Sequence, residues 1–172
     1  MTNVPSNDQD YQELPPKKYR RIGVGVLWDR DRKRILIDRR LPEGELAGYW
    51  EFPGGKIEPN EDVKTCIKRE LREELAIEVE VGDHLITIDH EYETLRVSLI
   101  VHHCIHISGE PQAIACSEMR WVTVNDLDQY QLPAANYQIV QALKENPLKS
   151  TFKQAGEMGE KLDNYFVNNN EK

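Results

Sequence analysis

The residues best suited to chemistry are three glutamates, Glu70, Glu73 and Glu74, on a segment from Glu61 to Leu75 that is rich in helix formers. On a helical wheel, at ~100° per residue, Val63, Ile67 and Leu71 form an apolar stripe. Glu61, Thr65, Lys68 and Arg72 fall on the opposite, solvent side. The three glutamates occupy an arc of about 100° beside Val63 and Cys66, at the edge of the stripe that faces the protein. Carboxylates gathered near a buried surface repel one another and lose hydration, so they need compensation. Arginine could supply it. A divalent cation does so most directly, and hard oxygen ligands suit Mg²⁺ or Mn²⁺ rather than zinc.

A surface helix with three glutamates is ordinarily just solvated, but the residues upstream shift that weighting. Glu51-Phe-Pro-Gly-Gly-Lys56 sets a glycine-rich turn and a lysine ahead of the acidic helix. Gly54 and Gly55 let the backbone approach a ligand closely, and Lys56 offers a cation to a phosphate. Alone this would be a turn and nothing more; the combination carries the information.

The elements that must position these residues are legible in outline. Arg21 to Trp28 and Arg34 to Arg39 are β-type runs joined by the charged turn Asp29 to Lys33, which suggests a hairpin. A loop with Pro42, Gly44 and Gly48 leads to a short run, Tyr49 to Phe52. Asn60, after Pro59, is the predicted N-cap of the acidic helix. Ile77 to Val81 alternates as a strand, and Leu85 to Ile88, Arg96 to Ile107 and Glu118 to Val124 read as further strands. Ala134 to Lys144 reads as a second helix, with Val140 and Leu143 on one side. The result is a β-rich α+β domain with mixed sheet pairing. Residues 1–19 read as a flexible N-terminal arm, 20–145 as the domain and 146–172 as a polar tail. Leu148, Phe152, Leu162, Tyr165 and Phe166 could let part of that tail dock as a helix.

Composition narrows the function classes. A chain of 172 residues suits one compact domain. Against 22 Lys and Arg stand 30 Asp and Glu, a net charge of −8, which argues against gripping a nucleic acid polymer by its phosphates. A small phosphorylated ligand stays compatible, because a bound cation neutralises phosphate locally. Cys66, Cys104 and Cys116 lack a CxxC spacing and read as small core residues in a reducing compartment. His84, His90, His102, His103 and His106 have no cysteine at a zinc-ligand spacing and read as packing or surface residues. No apolar run approaches the ~20 residues a membrane helix needs, and the first residues lack the apolar core of a secretory signal. A cytoplasmic monomer without membrane attachment is expected.

The pattern Gly55-x5-Glu61-x7-Arg69-Glu70-Leu71-x-Glu73-Glu74 resembles the Nudix box, GX5EX7REUXEEXGU, in which U is a bulky aliphatic residue. Each fixed position up to Glu74 agrees, and Ile77 fits the final aliphatic. Ala76 stands where the family has its last glycine, so slightly altered helix termination with retained activity is expected. The resemblance covers roughly Arg20 to Glu145. It implies the Nudix fold, an α/β/α sandwich around a mixed β-sheet. It also implies a reaction, in which water attacks a phosphorus of a nucleoside diphosphate linked to another group while Mg²⁺ clamps the phosphates. By that resemblance Glu70, Glu73 and Glu74 are metal ligands, joined by the backbone carbonyl of Gly54. Arg69 orients the carboxylates, and Glu70 is the candidate to take the proton from water.

Within the family the chain looks most like MutT-type enzymes, which convert 8-oxo-dGTP to the monophosphate and pyrophosphate. Trp50-Glu-Phe-Pro-Gly-Gly-Lys-Ile-Glu58 has the form seen in that branch. Leu132-Pro-Ala-Ala-Asn136 resembles the branch's motif whose Asn reads the purine edge, a task suited to an amide that both donates and accepts. Without that match, Asn136 would read as a helix N-cap. The implied substrate site is Arg40, Glu51, Phe52, Pro53, Gly54, Lys56 and Asn136, with Phe52 packing against the base and Arg40 helping to hold the substrate. One departure stands out. MutT-type enzymes often carry a further Glu six residues before the Trp matched by Trp121, and Ala115 occupies that place, with Glu118 the nearest acid. The alternatives are Nudix activity on a CTP-like nucleotide, a dinucleotide or a nucleotide sugar, and a non-catalytic nucleotide-sensing module.

Overall fold

The computed structural model describes residues 17–146 and 148. Its centre is β1 (Lys18–Trp28), which runs parallel to β6 (Leu95–Ser108) from Lys18↔Leu95 to Trp28↔Ile105. The other pairings are antiparallel. β2 (Ile35–Arg39) follows β1 through the predicted hairpin and is flanked by β3 (Trp50–Glu51) and β7 (Glu118–Val122). β4 (Gly54–Lys56) lies along β1, and β5 (Glu78–Glu91) along β6. The sheet is therefore mixed, in the order β3-β2-β1-β6-β5.

A period of two along β1 sends successive side chains to opposite faces. Val24, Val26 and Trp28 join the core beneath α2 (Ala134–Glu145), with Ile139, Val140 and Leu143. Leu27 joins Ile67, Leu71 and Leu75 of α1 (Val63–Leu75) on the other face. One helix on each face gives the α/β/α sandwich. The α1 layer sits close because β1 offers glycines beneath it. A Cβ at Gly23 would lie 3.1 Å from Ile67 Cγ1, and one at Gly25 3.3 Å from Ile67 Cγ2.

Several element boundaries differ from the sequence-based expectation. α1 begins at Val63, and its N-cap is Asp62, whose carboxylate accepts from the Lys64 and Thr65 amides at 3.0 and 3.1 Å. Asn60 instead has φ 66° in the preceding turn. Ala76 takes the left-handed conformation itself, φ 57° and ψ 33°, so the helix ends in the geometry expected of a glycine, with no altered termination. Glu78–Glu91 forms one strand, not two; the segment read as a break is a bulge, with register shifts from Val81 to Ile86. β7 stops at Val122, and a 3₁₀ turn runs from Val124 to Gln129. Lys18 and Tyr19, read as part of the arm, already pair with β6. Leu148 packs against the α2-side core, while the rest of the tail and residues 1–16 lie outside the described residues. Among the described residues no helix is long and apolar enough to cross a membrane.

Candidate active site

The stripe of α1 buried against the sheet is Cys66, Ile67, Leu71 and Leu75. Its edge decides where each glutamate goes. The side chain of Glu70 is 13% exposed and that of Glu73 is 59% exposed. Glu70 and Glu74, one helical turn apart, lie along the protein-facing edge. Glu73 sits at the outer rim, held by Arg69 Nη1 at 3.3 Å.

Arg69 ties the front of the site together. Its Nε and Nη2 donate to the two oxygens of Glu61 at 2.8 and 2.9 Å. Nη1 donates to Glu70 at 2.8 Å, and Nη2 also reaches the Lys56 carbonyl at 3.1 Å. This paired geometry holds the Glu61 carboxyl at about 2, the Arg69 bonds being the largest cause and the Glu58 amide, which donates to the Glu61 carboxylate, the next. Glu61 therefore does not face solvent, as the helical wheel placed it. It precedes the N-cap, where wheel geometry does not apply, and folds back to accept from Arg69 and from the Glu58 amide at 3.0 Å.

The glycines make room for the acids. A Cβ at Gly55 would overlap the Glu70 carboxylate, so the absence of a side chain on β4 is what lets Glu70 lie against that strand. Gly54 has φ +152°, and a Cβ there would collide with the Gly23 carbonyl.

These residues border a cleft of about 380 Å³ that runs from Gly54, Gly55 and Glu74 past Glu51 and Phe52 to Asn136. Lys56 lies at its mouth, exposed and 3.4 Å from Glu58. Arg40 crosses the middle, its Nη1 donating to both Glu51 oxygens at 2.8 and 3.0 Å and its Nε to the Glu45 carbonyl at 3.1 Å. Pro53 is not in the cleft; it is buried, and its carbonyl accepts from the Gly25 amide. Phe52 lines the cleft although only 3% exposed. Asn136 is buried in the first turn of α2, and its Oδ1 accepts from the Phe52 amide at 3.3 Å. It is not an N-cap, the position Pro133 occupies.

The cleft also holds residues that motif reading did not single out. Asp38 on β2 is 6% exposed and lines it, as do Ala115 and Cys116. Asp38 had a signal in the sequence. In Ile35-Leu-Ile-Asp38 an acid takes the next position on the face of buried Leu36, where an apolar residue is expected. Glu118 is elsewhere: it sits on β7 opposite Arg39 and pairs with Arg120 at 2.7 Å. Ala115 thus keeps the place found by counting, and Cys116, read as core, borders the cleft instead.

The electrostatics are lopsided. Burial, then Glu51 and Glu74, push the Asp38 carboxyl up to about 8, with Arg40 opposing. Burial, then Glu70 and Glu51, raise Glu74 to about 7. Burial also raises Glu51, against the pull of Arg40. An oxygen-rich cleft with this excess of negative charge fits a hard divalent cation. Among the described residues no three His, Cys, Asp or Glu side chains by themselves cage an ion. Mg²⁺ asks for less, taking one or two carboxylates and completing its shell with water and phosphate oxygens.

A family profile for the NUDIX domain matches residues 23–142, most of the chain and all of this cleft except Arg20 and Ile22 at its edge. The chain belongs to the Nudix family. The Nudix domain is 34% identical over 119 residues to the CTP pyrophosphohydrolase of Escherichia coli (strain K12), covering 69% of this chain and 87% of that protein. It is 30% identical over 127 residues to the 8-oxo-dGTP diphosphatase of Haemophilus influenzae, covering 74% of this chain and 93% of that protein. Among solved structures, a MutT protein from Methanosarcina mazei Go1 superposes with a TM-score of 0.69 at 25% identity, over 78% of this chain and 100% of that one. This Nudix protein is a hydrolase of MutT type.

Proposed function

We propose that the protein hydrolyses 8-oxo-dGTP to 8-oxo-dGMP and pyrophosphate, so keeping an oxidised purine out of DNA, as a cytoplasmic monomer. The observation that carries this reading is the placement of Asn136 at the end of the cleft remote from the acidic helix. The Phe52 amide orients its Oδ1, so the NH₂ is left to donate to a base. An oxidised guanine offers an O6 acceptor to that NH₂ and an N7–H to the second lone pair of Oδ1. Phe52 supplies an apolar wall beside the base, while Arg40 and Lys56 face the triphosphate.

At the other end, Glu70 and Glu74, with the Gly54 carbonyl, would hold Mg²⁺ or Mn²⁺, and Glu73 would join them by turning in from the rim. A divalent ion held there would supply charge neutralisation for phosphate oxygens and lower the pKa of nearby water. Arg69 fixes Glu70 by a charge-assisted bond of 2.8 Å, and Glu70, half-buried against Gly55, is the base to which the attacking water gives its proton.

The second reading is CTP, favoured by the 34% identical relative of that name. Pyrophosphate release from 8-oxo-dGTP, dGTP and CTP, with and without Mg²⁺, separates the two. A Mg²⁺-dependent preference for 8-oxo-dGTP is expected. A preference for CTP would transfer the protein to the second reading, and equal rates on 8-oxo-dGTP and dGTP would refute recognition of the oxidised base.

A further inference from the structure

We propose that Asp38 is a divalent-cation ligand and that, with Glu74, it forms a cation position on the sheet-side wall of the cleft. The inference rests on the metal-dependent reading above and extends it to a residue outside the acidic helix.

Asp38 is 6% exposed, and its side chain lines the cleft. Among the described residues no donor hydrogen-bonds to its carboxylate, and burial and neighbouring charges alone act on it. Its register partner across β2 and β3 is another acid, Glu51. Glu74 of α1 faces it as a third. Like charges directly opposite each other destabilise a sheet, and a buried carboxylate without a partner is costly. Of the cations lining the cleft, Arg40 is the one that acts on Asp38, but its Nη1 is bound to both oxygens of Glu51 and its Nε to the Glu45 carbonyl. The loop on the facing side brings only Ala115 and Cys116.

A divalent cation in the cleft would compensate these carboxylates. Two carboxylates on separate elements, open to a cleft that admits phosphate oxygens, match the way Mg²⁺ and Mn²⁺ are held. This position shares Glu74 with the front of the site but not Glu70, which lies against Gly55 and is bonded by Arg69.

The test is Mn²⁺ binding to the full chain without nucleotide, read from the electron paramagnetic resonance of the free ion, for wild type, Asp38→Asn and Glu70→Gln. Asp38→Asn is expected to weaken Mn²⁺ binding by about tenfold or more, or to remove one bound ion, while its metal-free Tm stays within a few degrees of wild type. Wild-type binding by Asp38→Asn alongside impaired binding by Glu70→Gln would overturn this proposal and leave the acidic-helix reading standing. Wild-type binding by both variants would overturn both. If Asp38→Asn does not fold, the ¹³Cγ resonance of Asp38 in the wild-type protein decides. A shift on saturation with Mg²⁺ supports the assignment; an unmoved resonance while those of Glu70 and Glu74 move overturns it.

Discussion

Asp38 and Glu51 are register partners on β2 and β3, so two carboxylates stand side by side across an antiparallel ladder at the wall of the cleft. Arg40 is bonded to both oxygens of Glu51, whereas among the described residues no cation bonds to Asp38. A sheet selected for stability alone would not place like charges opposite each other. Such conflicts between local preference and fold are expected where a site is built. On the proposed reading, a cation in the cleft compensates these carboxylates. Saturating Mg²⁺ is accordingly expected to raise the Tm, with a gain of about 2.7 kcal/mol when the ion is present at a hundred times its Kd. Differential scanning fluorimetry with Mg²⁺ and with a monovalent salt at equal ionic strength checks this; equal shifts from both salts would count against a specific site.

Gly55 is required by Glu70, not by the turn. Gly55→Ala places a methyl group where the Glu70 carboxylate lies. Hydrolysis is expected to fall on the order of 100-fold through misplacement of that group. Steady-state kinetics beside a circular dichroism spectrum would show the loss in a folded protein, and full activity would mean that the Glu70 position is not needed.

The pairing of Glu61 with Arg69 gives the protein a specific acid limb. The folded carboxyl sits at about 2, below its unfolded value of about 4.3. A depressed acid contributes stability above the unfolded value and loses it as the pH falls toward the folded one. Glu61→Gln should therefore cost stability at neutral pH and flatten the decline between about pH 4.5 and 2. Urea unfolding across that range measures both, and superimposable acid limbs would dismiss the pairing as a source of stability.

On the proposed reading Asn136 has two tasks that substitutions can separate. Asn136→Ala removes both the base-facing NH₂ and the acceptor for the buried Phe52 amide. It should raise KM for 8-oxo-dGTP about tenfold and cost about 1–3 kcal/mol of stability. Asn136→Asp keeps an oxygen for Phe52 but has no donor for the base. Its Tm should stay nearer wild type while the preference for the oxidised nucleotide is lost. Preference retained in Asn136→Asp would show that another group reads the base.

How far the sequence reached can be judged residue by residue. The box from Gly55 to Glu74 was legible because its spacing is local: one helix and one turn set the order of Glu70, Arg69 and Gly55, and periodicity alone located the buried stripe. The run Arg21 to Trp28 was likewise legible as a strand, within β1. Local pattern failed at the ends of elements. Asp62 rather than Asn60 caps α1, because the intervening chain turns through a left-handed Asn60 first. The exit came out simpler than expected, since Ala76 adopts the left-handed cap a glycine would take.

What only the tertiary structure decided are the meetings between distant segments. It brought the Asn136 amide to the Phe52 backbone, folded Glu61 back onto Arg69, and set Asp38 opposite Glu51. It also separated Glu73 from Glu70 and Glu74, although all three share a short stretch of one helix. The reason is physical. Spacing along a chain fixes which residues share a helix or strand face. Burial, counterions and electrostatic environment depend on which faces are pressed together, and no single element carries that information.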